Sequence, residues 1–229
     1  MFPFMFDEYY LILVVPTFIL SMWAQFKVKS TFAKYSKVQS ARKISGQDAA
    51  SLVLKSKSVL NVKIESVGGS LTDHYDPSKK VIRLSQPVHS ETSIAAIGVA
   101  AHEAGHAIQH ALSWGPLGLR SYLVPVANFG SRLGPWLAII GLIMSLPILT
   151  NIGIIAFSGA VLFYLITLPV EFNASARAIT ILRENNVLSA QELRGVRKVL
   201  TAAALTYVAS ALTAIMSLLR LVLLSRRRR

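Results

Sequence analysis

From Leu133 to Val170 the chain carries no charged residue, a run longer than the roughly 20 residues with which one helix crosses a bilayer. Pro147 and Thr150-Asn151 interrupt it, so it reads as two spans of a tight transmembrane hairpin within residues 119–170. A second uncharged stretch, Tyr9 to Phe26, is followed by Lys27, Lys29, Lys34, Lys37, Arg42 and Lys43. Basic residues gather on the cytoplasmic side of spans, so residues 1–26 read as an N-terminal anchor with its C-terminal end in the cytoplasm. Pro16 is predicted to kink it. Asp7 and Glu8 without any Lys or Arg before Tyr10 are unlike the basic head of a cleavable signal, and the anchor is expected to be retained. Val199 to Leu219 is also uncharged but rich in Ala, Thr and Ser, suiting either a fourth span or a helix packed on protein. Strict alternation would put Arg226 to Arg229 on the outer face, against the usual charge bias. Three or four spans are therefore expected.

These runs account for a composition of 53% hydrophobic and 15% charged residues among 229, where soluble domains average about a quarter charged. The water-soluble part must be small. A formal charge of +13 suits nucleic acid, anionic lipid or topology signals. The basic residues flank apolar runs and lack the interleaved aromatics of single-strand binders, which argues for the bilayer and against nucleic acid as partner. There is no cysteine, so any metal site must be built from His, Glu, Asp and water.

Residues 27–118 form the main cytoplasmic segment. Ser45-x-x-Asp48 caps a helix that starts with Ala49, Ala50, Leu52 and Val53. Val62–Val67, Leu71–Tyr75 and Val81–Ser85 are short and partly alternating, separated by Gly68-Gly69 and Asp76-Pro77-Ser78-Lys79, and predict a short β-meander or hairpin. From Ser90 to Ser113 there is no proline and alanine is dense, which predicts one long helix. Ser189-Ala190-Gln191-Glu192 is a capping box opening a further helix.

The helix over 90–113 carries His102-Glu103-Ala104-Gly105-His106. Residues four apart share a helix face about 6 Å apart along the axis, so His102 and His106 can converge on one ion. Glu103 is offset by one position, beside a metal rather than on it, where it can take a proton from metal-held water and pass it to a leaving amine. Gly105 permits close approach of another element. His110 shares the face but lies about 12 Å along the axis from His102, too far to bind the same ion, and is given a supporting role. For the third ligand, Glu171 closes the long uncharged run, where a carboxylate among apolar neighbours needs a partner: a metal, or a cation such as Arg177. Asp73, His74, Asp76 and Glu91 remain alternatives. His74 and Tyr75 are candidate oxyanion donors.

Further stretches add to the motif: Trp23-Ala24-Gln25 with its basic sequel, Leu71-Thr72-Asp73-His74-Tyr75-Asp76-Pro77, Val99 to His110, Leu123-Val124-Pro125-Val126-Ala127-Asn128, Pro169 to Ser175, and Ala203 to Ala209. Together they resemble the YugP-like membrane zinc metallopeptidases, distant relatives of the HtpX-like gluzincins, over nearly the whole chain. The resemblance implies His102, His106 and Glu171 as ligands of one zinc ion and Glu103 as the base. HtpX-like enzymes place a supporting Asp four residues after the ligand Glu; Ser175 stands there in this chain, so that role is not carried over.

The expected molecule is a mainly α integral membrane protein with a small gluzincin-like α+β catalytic unit. Residues 171–229 would supply the third-ligand helix and a C-terminal apolar helix. Its expected activity is zinc-dependent hydrolysis of membrane-proximal polypeptides at the cytoplasmic face of a prokaryotic cell membrane. A zinc-containing membrane scaffold without proteolytic activity is the alternative.

Overall fold

The computed structural model describes residues 7–227. Met1 to Phe6 of the expected anchor, and Arg228 and Arg229 of the basic terminus, lie outside the described residues. A π-helical turn, Tyr10–Val14, leads into α1 (Val15–Tyr35); then come α2 (Gly46–Lys55), β1 (Lys63–Val67), β2 (His74–Asp76), β3 (Val81–Ser85), α3 (Gln86–His89) and α4 (Ile94–Ala111). Three long helices complete the chain: α5 (Gly115–Ile143), α6 (Pro147–Glu184) and α7 (Ala190–Arg227). Two compact units divide these elements. The first takes residues up to 25, 119–169 and from 205 onward, and the second takes 26–118 and 170–204.

Within the first unit, the π-helical turn sits just ahead of Pro16, whose missing N–H leaves the preceding turn without its regular bond. The α5–α6 hairpin turns at Met144–Leu146, with Ser145 at φ 56°. Its helices touch backbone to backbone: a Cβ on Gly153 would lie 2.3 Å from the Ala138 nitrogen. Small residues at such crossings are what lets helices pack in lipid. α7 runs antiparallel to α1, since Thr213 meets Ser21 at 3.2 Å while Arg220 meets Asp7 through Nε at 2.9 Å. The Arg220 guanidinium also lies 5.1 Å from the centre of the Tyr10 ring, and Arg227 donates to Glu8 at 2.7 Å. Among the described residues, four helices are long and apolar enough to cross a membrane, α7 among them. Arg220 and Arg227 thus find acidic partners in Asp7 and Glu8, which ties the end of α7 to the stretch that leads into α1.

In the second unit, local sequence sets the helix ends. The Ser45 hydroxyl accepts from Asp48 N at 3.1 Å and Asp48 accepts in return from Ser45 N at 3.2 Å. Glu192 closes the Ser189 box and accepts additionally from Ala41 N at 2.7 Å. α4 is shorter than 90–113 because Ser93 caps it, accepting from Ala96 N at 3.2 Å, and Ser113 turns left-handed at φ 49° after its end. The sheet is not a meander. Its order is β1-β3-β2, with β1 parallel to β3 and β2 antiparallel to it. Only the β2–β3 connection is a hairpin turn, held by Asp76 Oδ1 accepting from Ser78 N and Lys79 N at 3.0 and 3.2 Å. The link from β1 instead carries Asp73 to the end of β3, where its carboxylate accepts from Ser85 N at 2.8 Å, so β2 joins β3 on the side away from β1. Fully buried Val53, Ile82, Leu84, Val88, Ile97, Ile108, Ile181, Leu182, Val187 and Val196 form one core with α4 at its centre.

Asp7→Ala leaves Arg220, only 8% exposed, without this carboxylate. It is expected to lower the stability of the detergent-solubilised chain by about 3 kcal/mol, and exchanging the two residues should recover most of that loss in the same thermal melt.

Candidate metal centre

α4 presents His102, Gly105, His106 and Gln109 on one stripe. The two imidazoles stand edge to face, centroids 4.7 Å apart. A Cβ on Gly105 would fall 2.6 Å from the Ala174 carbonyl oxygen, so only glycine lets α6 come this near. On α6, Glu171 precedes Ala174 by about one turn, which sets its carboxylate over the imidazoles. Glu171 Oε2 is 3.3 Å from His102 Nε2 and 3.5 Å from His106 Nε2, and the three ligand atoms all lie within 4.8 Å of one another. Tetrahedral zinc with bonds of about 2.05 Å places its ligand atoms about 3.3 Å apart. The donor set and its spacing therefore fit zinc, with a fourth position not supplied by these three residues.

The far nitrogens of both rings are tied down. His106 Nδ1 is 3.0 Å from Gln109 Oε1, and Gln109 Nε2 donates to Val170 O at 2.9 Å and Asn173 Oδ1 at 3.0 Å. With both amide hydrogens so used, Gln109 can only accept from His106, which fixes the proton on Nδ1 and leaves the Nε2 lone pair for a metal. His102 Nδ1 is 3.0 Å from Ser175 Oγ. Arg177 does not stand apart from this group: its Nε donates to Asn173 Oδ1 at 2.7 Å.

Glu171 is 2% exposed, and Glu103 and His106 are 8% exposed. Burial works against a charge on His106, but the Glu171 carboxylate, with Glu103 and Gln109, outweighs it and raises the ring's pKa. The pocket is thus built to hold a cation. No hydrogen bond to the Glu103 carboxylate is found among the described residues.

The other sequence candidates lie elsewhere. Asp73 is bound to Ser85 and held above its ordinary pKa by burial. Asp76 is occupied with Ser78, Lys79 and Arg83, which hold its carboxyl below the usual range. His74 Nδ1 is 2.8 Å from Thr72 O, and its Nε2 is 3.4 Å from an Arg83 nitrogen. Tyr75 OH pairs with His110 Nδ1 at 2.7 Å. Glu91 is exposed. Among the described residues, the only group placed so that it could hold a metal ion is His102, His106 and Glu171. Gln109 and Asn173 were missed from sequence. A glutamine one turn beyond His106, on a helix whose core-facing positions are apolar, was the available signal.

Gln109→Ala is expected to weaken zinc binding about 10- to 100-fold, read by competition with a chromogenic chelator. Gly105→Val, which forces α4 and α6 apart, should reduce it further.

Comparison with known proteins adds to the geometry. Residues 10–226 match the family described as "Putative neutral zinc metallopeptidase". The chain is 49% identical over 215 residues, 94% of its own length and 96% of the relative's, to the "Putative membrane protease YugP" of Bacillus subtilis (strain 168). No solved structure matches it. A match of that extent, over a chain that brings two histidines of one helix against a glutamate of another, shows that it belongs to the YugP-like zinc metallopeptidase family.

Proposed function

We propose that the chain is a zinc-dependent endopeptidase that cuts membrane-proximal polypeptides at the cytoplasmic face of a prokaryotic cell membrane, with one zinc ion per chain. The observation that carries this reading is a donor triangle of the size zinc needs, with the buried Glu103 carboxylate beside it and free of hydrogen bonds among the described residues. A carboxylate on a mostly buried residue beside the candidate ligands, with no hydrogen bond engaging it, is free to accept a proton. The family's description and the relative's name, a membrane protease, support the same class.

His102 and His106 would hold the ion through Nε2 and Glu171 through Oε2. When bound there, zinc lowers the pKa of water and polarises the scissile carbonyl. Glu103 takes the proton that the attacking water loses and returns it to the leaving nitrogen, so one carboxylate serves as base and then as acid. Gln109 and Ser175 keep the imidazoles from turning as charge develops. A structural zinc site closes its fourth position with protein and needs no base, which argues against the scaffold reading.

The cytoplasmic side rests on the basic residues from Lys27 to Lys43, and the membrane-proximal substrate on the place of Glu171, directly after the uncharged run that ends at Val170.

Glu103→Gln should keep its zinc and lose proteolysis of casein by about two to four orders of magnitude; equal activity in both proteins would end the peptidase reading. Glu171→Ala should lose zinc as fully as His106→Ala, measured by metal analysis of the purified chains. Because the chain has no cysteine, Lys37→Cys and Ser145→Cys report topology cleanly. An impermeant thiol reagent on intact cells is expected to label position 145 and spare position 37.

A further inference from the structure

A cleft of about 560 Å³ opens along the C-terminal end of α4, and no carboxylate lines it. Lys57, from the link between α2 and β1, and Lys80, from the β2–β3 turn, border it. Both are exposed, and neither ammonium has an ion-pair partner among the described residues. The Tyr75–His110 pair lines the same cleft. The hydrogen bond between the Tyr75 hydroxyl and His110 Nδ1 holds the ring at the cleft wall. His110 Nε2 has no hydrogen-bond partner among the described residues. Leu60 and Leu112, 78% and 60% exposed, add apolar surface.

We infer that this cleft is a substrate subsite that receives an Asp or Glu side chain, held by Lys57 and Lys80, with His110 on the cleft wall. The assignment rests on the peptidase reading above. Two cations with no acid among them complement a carboxylate and repel a basic side chain. Position along the substrate follows from the helix. His110 is four residues beyond His106, about 6 Å along the axis, and an extended peptide advances about 3.3 Å per residue. The acidic residue therefore falls about two residues, and at most about three, from the scissile bond.

The test uses the full chain, zinc-loaded and in detergent, with a mixed decapeptide library whose products are sequenced by mass spectrometry. Expected is enrichment of Asp and Glu two or three residues from the cut bond. Matched fluorogenic peptides with Glu or Gln at that position should then differ about tenfold in kcat/KM, through KM. In Lys57→Gln/Lys80→Gln, with zinc content as the check on folding, that ratio should fall to about one, whereas Lys55→Gln/Lys79→Gln, an equal charge change outside the cleft, should preserve it. No acidic enrichment within three residues of the cut, or a ratio indifferent to Lys57 and Lys80, overturns the assignment. So does a preference seen only with phosphatidylglycerol vesicles present, which would give the cleft to a lipid headgroup. Failure of the peptidase reading shows differently, as no cleavage or cleavage equal in Glu103→Gln. Fluorescence anisotropy of the same Glu and Gln peptides on the Glu103→Gln chain then judges the cleft alone; equal affinity overturns it.

Discussion

The missing side chain at Gly105 is the constraint on which the metal centre depends. It lets the α6 backbone at Ala174 come closer to α4 than any Cβ would allow, and both helices put their chemistry on the stripes that meet there. His102, Gly105, His106 and Gln109 follow one another at helical spacing on α4, as Glu171, Ala174, Ser175 and Ala178 do on α6. Contact and function are therefore one geometrical fact. A shift of either helix by one turn, about 5.4 Å, would part the carboxylate from the imidazoles and the glutamine from its two acceptors together.

Gln109 shows how such an arrangement is stabilised from behind. Its amide is 0% exposed and satisfied at both ends, so it costs little to bury and still dictates which nitrogen of His106 faces Glu171. Glu171 is nearly as buried, and a carboxylate there is tolerable because two rings offer it positive charge, in the form of a proton or of a metal they share.

Much of this was legible in the sequence where the signal is local. The histidine pair, the Ser45 and Ser189 boxes and the apolar runs each depend on residues within a few turns of one another, and spacing alone reveals them. Strand order was not legible, because it turns on Asp73 reaching Ser85 across the sheet, and a meander satisfies the same alternation. Gln109 and Asn173 stayed hidden for a similar reason: each becomes meaningful only when the facing helix is known. The sequence left open whether Val199 to Leu219 crosses the bilayer, and it could not show that Arg220 and Arg227 pair with Asp7 and Glu8, over 200 residues earlier.

That last pairing has a consequence in time. Asp7 and Arg220 are 213 positions apart, and a ribosome adding about 5–20 residues per second needs about 10–40 s to make the second after the first. α1 must enter the lipid with Asp7 still without this arginine, and α7 must find it there. The bundle is thus fastened only once α7 has been made, and a nascent chain stalled short of Arg220 holds His102, His106 and Glu171 without the clasp that joins α1 and α7.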